Sequence, residues 1–141
     1  VNNTYISIPI TGITKKETPP TRTYALDLDK GRIEGFVDGL EACQQFIRKA
    51  LITPRFRCLI YNNQYGSEIK QAITTEDASP AYVAAELPRI VKDAIINDDR
   101  IIDVDTSAFT FEFVEDGVYV DFDVQTIYGN LKVQEVLSGV V

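Results

Sequence analysis

A chain of 141 residues with 45% hydrophobic and 10% aromatic residues carries enough apolar material for one packed domain, which excludes wholesale disorder. A net charge of −7 and a pI near 4.5 exclude a surface built to neutralise phosphates, so neither nucleic acid nor an anionic membrane is an expected partner. Histidine is absent, which removes the commonest general base, the usual nucleophilic triads and the Cys/His zinc sites; no metal and no cofactor are expected.

Residues 1–22 read as an extended N-terminal arm. Ile6, Ile8 and Ile10 alternate, Thr11-Gly12 interrupts, and Lys15, Lys16 and Glu17 lead into Pro19-Pro20, which favours extended backbone and donates no ladder bonds. The arm is too short to form a core; its two readings are a strand added to a neighbour and simple disorder. Residues 23–141 make the folded domain. Tyr24, Leu26 and Leu28 alternate with Ala25, Asp27 and Asp29, Lys30-Gly31 turns the chain, and Ile33 and Phe36-Val37 return, which predicts a β-hairpin. Asp38 opens a helix, with Glu41 at capping-box spacing. Leu40, Cys43, Ile47, Ala50 and Leu51 form its apolar stripe, and Thr53-Pro54 ends it. Cys43 on that stripe is expected as a buried free thiol; with Cys58 the other cysteine, the pair suits a reducing cytosol.

Phe56 to Tyr65 reads as an irregular apolar and aromatic loop closed by Gly66, followed by a short helix over Ser67–Ile73. Ser79-Pro80 caps a longer helix bearing Val83, Leu87, Ile90, Val91, Ala94 and Ile95. Pro88 inside it predicts a kink or a late start of the regular part, and Asn97 a stop. From Arg100 the period becomes two. Ile101 and Ile102 to Val104, then Phe109, Phe111 and Phe113, then Val118, Val120, Phe122 and Val124, then Leu131, Val133 and Val136 read as strands. Turns fall at Glu115-Asp116-Gly117 and Tyr128-Gly129-Asn130, and Asp121 and Asp123 mark a sheet wet on one face. The fold class is α+β: an extended arm and hairpin, two to three helices, then a C-terminal antiparallel β-meander. No stretch reaches transmembrane length and no signal peptide is read, so synthesis and assembly in the bacterial cytoplasm are expected.

Catalysis finds little support. Among 21 acidic residues no two are marked as a general acid and its partner, so no catalytic residue is assigned. Two local features stand out. Asp98-Asp99-Arg100 follows the long helix; either an Asp–Arg pair braces the turn, or Arg100 reaches outward as a forked donor to a partner. Thr53-Pro54-Arg55-Phe56-Arg57 has two readings: a structural helix stop with an aromatic-anchored loop, or a loop that presents Arg55 or Arg57 to a neighbouring subunit.

Three stretches carry a resemblance over roughly residues 22–137: RTYALDLDKGRIEGFVDGLEACQQFIRKAL, TPRFRCLIYNNQYGSEI, and LPRIVKDAIINDDRIIDVDTSAFTFEFVEDGVYVDFDVQT. Taken in order, they resemble the lysozyme-like baseplate wedge family of contractile phage tails, in its PBSX-type XkdS branch. The wider family carries Glu-Pro-Arg after the long helix; here Asp98, Asp99 and Arg100 keep the acid and the arginine and replace the proline. The resemblance implies that this triplet docks on the wedge core. It implies that the C-terminal strands, with Val118, Val120, Phe122, Val124, Leu131, Val133 and Val136, join the first sheath ring and template it by strand addition. Implied partners are other baseplate wedge proteins, the tail sheath protein, and tube or hub proteins, in a ring of copies with six-fold symmetry at the baseplate of a virion or tail particle. Deletion of residues 128–141 is expected to leave a folded protein. Two rival functions are a lysozyme-like peptidoglycan hydrolase and a regulatory adaptor on the same fold.

Overall fold

A computed structural model describes residues 20–55, 64–74, 76, 79–115 and 117–138. The arm up to residue 19, Arg57 and Cys58 lie outside the described residues.

Two strands come first, β1 (Thr23–Asp27) and β2 (Arg32–Val37), paired antiparallel. Their turn is closed by Asp27, whose carboxylate accepts from the backbone N–H of Asp29 (3.1 Å) and Lys30 (2.9 Å). Helix α1 (Gly39–Ile52) follows and buries Ala42, Cys43, Ile47, Ala50 and Leu51, the stripe its spacing predicts. Cys43 is a buried free thiol, and burial raises its pKa. Asp38 does cap α1, but its carboxylate accepts from Gly39 N and from the Thr21 hydroxyl, not in the Glu41 capping box that the sequence spacing suggests. At the other end the Thr53 N–H and hydroxyl both donate to the Lys49 carbonyl, and Pro54 cannot continue the helix.

Helix α2 (Ile69–Thr74) begins two residues later than the sequence suggests. Helix α3 (Pro80–Ile95) starts at Ser79, whose hydroxyl accepts from Tyr82 N at 3.2 Å, and runs unbroken through Pro88. Its buried stripe of Val83, Leu87, Ile90, Val91, Ala94 and Ile95 holds it to the core, and packing of that kind outweighs one lost helical bond.

The meander consists of β3 (Ile101–Val114), β4 (Gly117–Thr126) and β5 (Gly129–Ser138), antiparallel in the order β3-β4-β5. What the period-two pattern reads as two strands before the first turn is one strand with a large bulge. Thr106, Ser107, Ala108 and Phe109 together oppose Phe122 alone. Val118, Val120, Phe122, Val124, Leu131, Val133 and Leu137 point to one buried face, on which α1 packs at β5 and α3 at β3. Val136 lies on the outer face at 41% exposure, and the inward positions beside it are Glu135 and Leu137. Strand alternation is strict, so Leu131 and Val133 set a phase that Val136 breaks. Among the described residues, one hydrophobic cluster joins α1, α2 and α3 to the meander, and no residue of the β1–β2 hairpin belongs to it.

Candidate functional site

Two surfaces carry the residues that sequence singled out: the turn between α3 and β3, and the margin of the terminal sheet. At the turn, Asp98 N donates to Ile95 O and Ile101 N donates to Asp98 O, which closes a tight reversal into β3. The Arg100 guanidinium lies along the Asp98 carboxylate as a two-pronged pair, Nε to Oδ1 at 2.8 Å and Nη2 to Oδ2 at 2.9 Å. Arg100 N donates to the same Oδ1 at 2.9 Å. Burial alone would raise the Asp98 pKa, but the bonds and charge of Arg100 outweigh it and hold the carboxyl below its ordinary value. Arg100 is raised in turn, chiefly by its bond to Asp98. The guanidinium also sits 5.1 Å from the Phe46 ring centroid of α1, so the turn is tied to that helix. Of the two sequence readings, the geometry is the braced turn. Asp99 alone of the three is exposed.

Arg55 also points inward. Its Nε donates to Gly66 O (3.2 Å) and its Nη2 to Asp93 O (3.1 Å), which ties the loop base to the end of α3. Of the two readings of this loop, the contacts of Arg55 are those of the structural one. Gly66, at φ +96°, is required there, because a Cβ would stand 2.7 Å from Thr53 O. Sequence reasoning marked Thr53 and Tyr65-Gly66 as structural, and did not find the Arg55 contact to α3, whose partner lies 38 residues on.

At the sheet margin, β4 is the central strand, hydrogen-bonded by β3 on one side and β5 on the other. Val118, Val120, Phe122 and Val124 therefore offer neither side chain nor backbone to an incoming strand, against the expectation for Val118–Thr126. Leu131 and Val133 also bury their side chains, but β5 is an edge and has no second strand neighbour among the described residues. Its ten residues pair with β4 without a register shift. The two-residue turn at Ile127 and Tyr128 closes on Thr126 and Gly129, so the alternate residues Asn130, Lys132, Gln134 and Val136 turn their N–H and C=O groups outward. The opposite edge, β3, is broken by its bulge, where Asp105 accepts from Ser107 N (2.9 Å) and Ser107 Oγ (2.6 Å).

Against known proteins, residues 21–129 match the family described as the contractile injection system sheath initiator. The chain belongs to that family. It is also similar to the phage-like element PBSX protein XkdS of Bacillus subtilis (strain 168), at 36% identity over 119 residues, which cover 84% of this chain and 83% of that protein. The role of this sheath initiator is structural, in a contractile tail, in association with sheath and baseplate proteins. No described helix is long and apolar enough to cross a membrane.

Proposed function

We propose that this sheath initiator is a wedge subunit of the baseplate, and that it starts the sheath by accepting a strand of the first sheath ring along the outer edge of β5. The observation that carries this reading is the contrast between the sheet's two margins. A bulge disrupts pairing and twists an edge away from neighbours, and β3 has one. β5 is ten residues long, in unbroken register, with a row of outward backbone groups, which is the form β-augmentation uses.

Docking on the wedge core falls to the Asp98–Arg100 turn. Arg100 shapes that turn from within, and Asp99 is the carboxylate it displays; tube or hub proteins are further neighbours in the same ring. Each added backbone bond nets about 0.5–1.5 kcal/mol, so one short strand gives a weak contact. A six-fold ring of such edges holds the sheath through effective concentration. A peptidoglycan hydrolase needs a carboxyl with a raised pKa, whereas each described carboxylate with a shifted pKa is lowered. A turbidity assay on cell walls tests that activity directly.

Gln134→Pro is the test of the edge. Gln134 is exposed, and its outward N–H is not part of the β4 ladder, so proline there removes a backbone donor from the free edge, and the alanine variant controls for the lost side-chain bond from Gln134 Nε2 to Asp121. Tail particles assembled with Gln134→Pro should carry the initiator in the baseplate but bare tubes above it, while Gln134→Ala builds normal sheath. Full-length sheaths on the proline variant, seen by electron microscopy, would sink the strand-addition reading.

A further inference from the structure

The inner row of β5 is apolar except at one position. Leu131, Val133 and Leu137 are buried, and Glu135 stands between the last two, paired across the ladder with the buried Val120 of β4. Its side chain is 19% exposed. A carboxylate so placed needs a partner, because burial disfavours its charge. Arg48 of α1 supplies one, with Nε 3.5 Å from Glu135 Oε2. The same guanidinium donates from Nη2 to Asp29 Oδ1 at 3.1 Å, in the turn between β1 and β2.

These two contacts differ in weight. Asp29 is 82% exposed, so water screens its pair with Arg48 and the pair contributes little stability. Its effect is geometric: it occupies one end of the fork and leaves Nε directed at β5. Glu135 is the energetic half. Without Arg48 its charge is stranded beside the core, and it gains water when the end of β5 rotates or lifts from β4. Rotation would expose Leu137 with it, since the two neighbour each other on the strand.

The outer face of the same stretch is held as well. Asp121 of β4 accepts from Gln134 Nε2 at 2.9 Å and pairs with Lys132 Nζ at 3.1 Å. Ties on both faces therefore fall within residues 132–135, in the middle of the strand whose backbone row faces outward. An edge already held straight binds a strand more tightly, because it does not have to be ordered at the moment of binding.

We propose that Arg48 is a positioning residue for sheath initiation: through Glu135 it holds β5 against β4, with the outer backbone row set for the incoming strand. This rests on the reading of β5 as the strand-accepting edge. Arg48 acts through Glu135 and lends the sheath no bond of its own.

Arg48→Met keeps an apolar stem and removes the charge, and two measurements on it test the proposal. In hydrogen exchange read by mass spectrometry on the isolated full chain, residues 131–138 should exchange about tenfold faster, while α3 keeps its protection. Tail particles built with the variant should keep the initiator in the baseplate and show about tenfold fewer sheathed tubes by electron microscopy. Adding Glu135→Gln removes the stranded charge and should return both readings to within about twofold of normal. Should Arg48→Met not fold, Arg48→Lys, which keeps the charge without the fork, carries the same test with an expected change of about threefold. Unchanged exchange in β5 overturns the role of Arg48 and leaves the strand-addition reading to the Gln134→Pro test. A double variant that stays as loose as Arg48→Met also overturns it, since Arg48 then does not act through Glu135. Faster exchange with fully sheathed tails overturns it at the other end, because a loosened edge then serves as well as a held one.

Discussion

Arg100 and Arg55 both stand where a sequence reader looks for an outward hand, and both turn inward. For Arg100 the partner is two residues away, so the pair forms with little loop entropy and the fork satisfies both carboxylate oxygens. The titration of Asp98 follows from this. Its folded pKa lies below the ordinary 3.8, so near that pH the unfolded chain binds more protons than the folded one. The pair's contribution is complete above pH 3.8 and fades as pH falls through the lower folded value. Asp98→Asn should flatten this part of the stability–pH profile in acid denaturation. At neutral pH it should cost about 1.5–3 kcal/mol, the worth of hydrogen bonds to a charged group. An unchanged acid limb in the variant would show that the pair does not brace the turn.

Among the elements, β5 has two tasks that pull against each other. Its outward backbone is offered to a neighbour, while Leu131, Val133 and Leu137 are part of the protein's own core. Removal of residues 128–141 therefore strips the cluster of three buried side chains and is not the mild truncation that the sequence suggested. Thermal melts should show no cooperative transition for that deletion. Leu137→Ala should cost about 2–5 kcal/mol, as a buried leucine does. If the deletion melts like the intact chain, the core does not depend on β5. The alternation of Val118 to Val124 made these strands readable in advance. The face that Val136 occupies was not legible, since only the partner strand shows it. The bulge at Thr106–Phe109 was likewise out of reach, since it is defined by what lies opposite on β4.

At the scale of the whole molecule, an acidic chain that presents short edges suits assembly in company. Purified initiator mixed with single sheath subunits at micromolar concentration should elute separately on gel filtration, because one strand contributes only a few kcal/mol. Mass spectrometry of intact tail particles should nevertheless find it as a firm component. A stable one-to-one complex in solution would mean that the contact is larger than an added strand.

The sequence by itself determined the class of each element, the helix caps at Asp38 and Ser79, the buried stripes of α1 and α3, and the meander, because periods of 3.6 and two are local properties of the chain. The family's residues were recognisable in it for the same reason, as ordered stretches of pattern. Tertiary structure alone decided that β4 is central and β5 an edge, that Arg55 reaches Asp93 O, and that the Arg48 guanidinium meets both Asp29 and Glu135. These depend on which groups meet across long separations, and whether a backbone group is satisfied or free is settled by its neighbours in space, not by its neighbours in sequence.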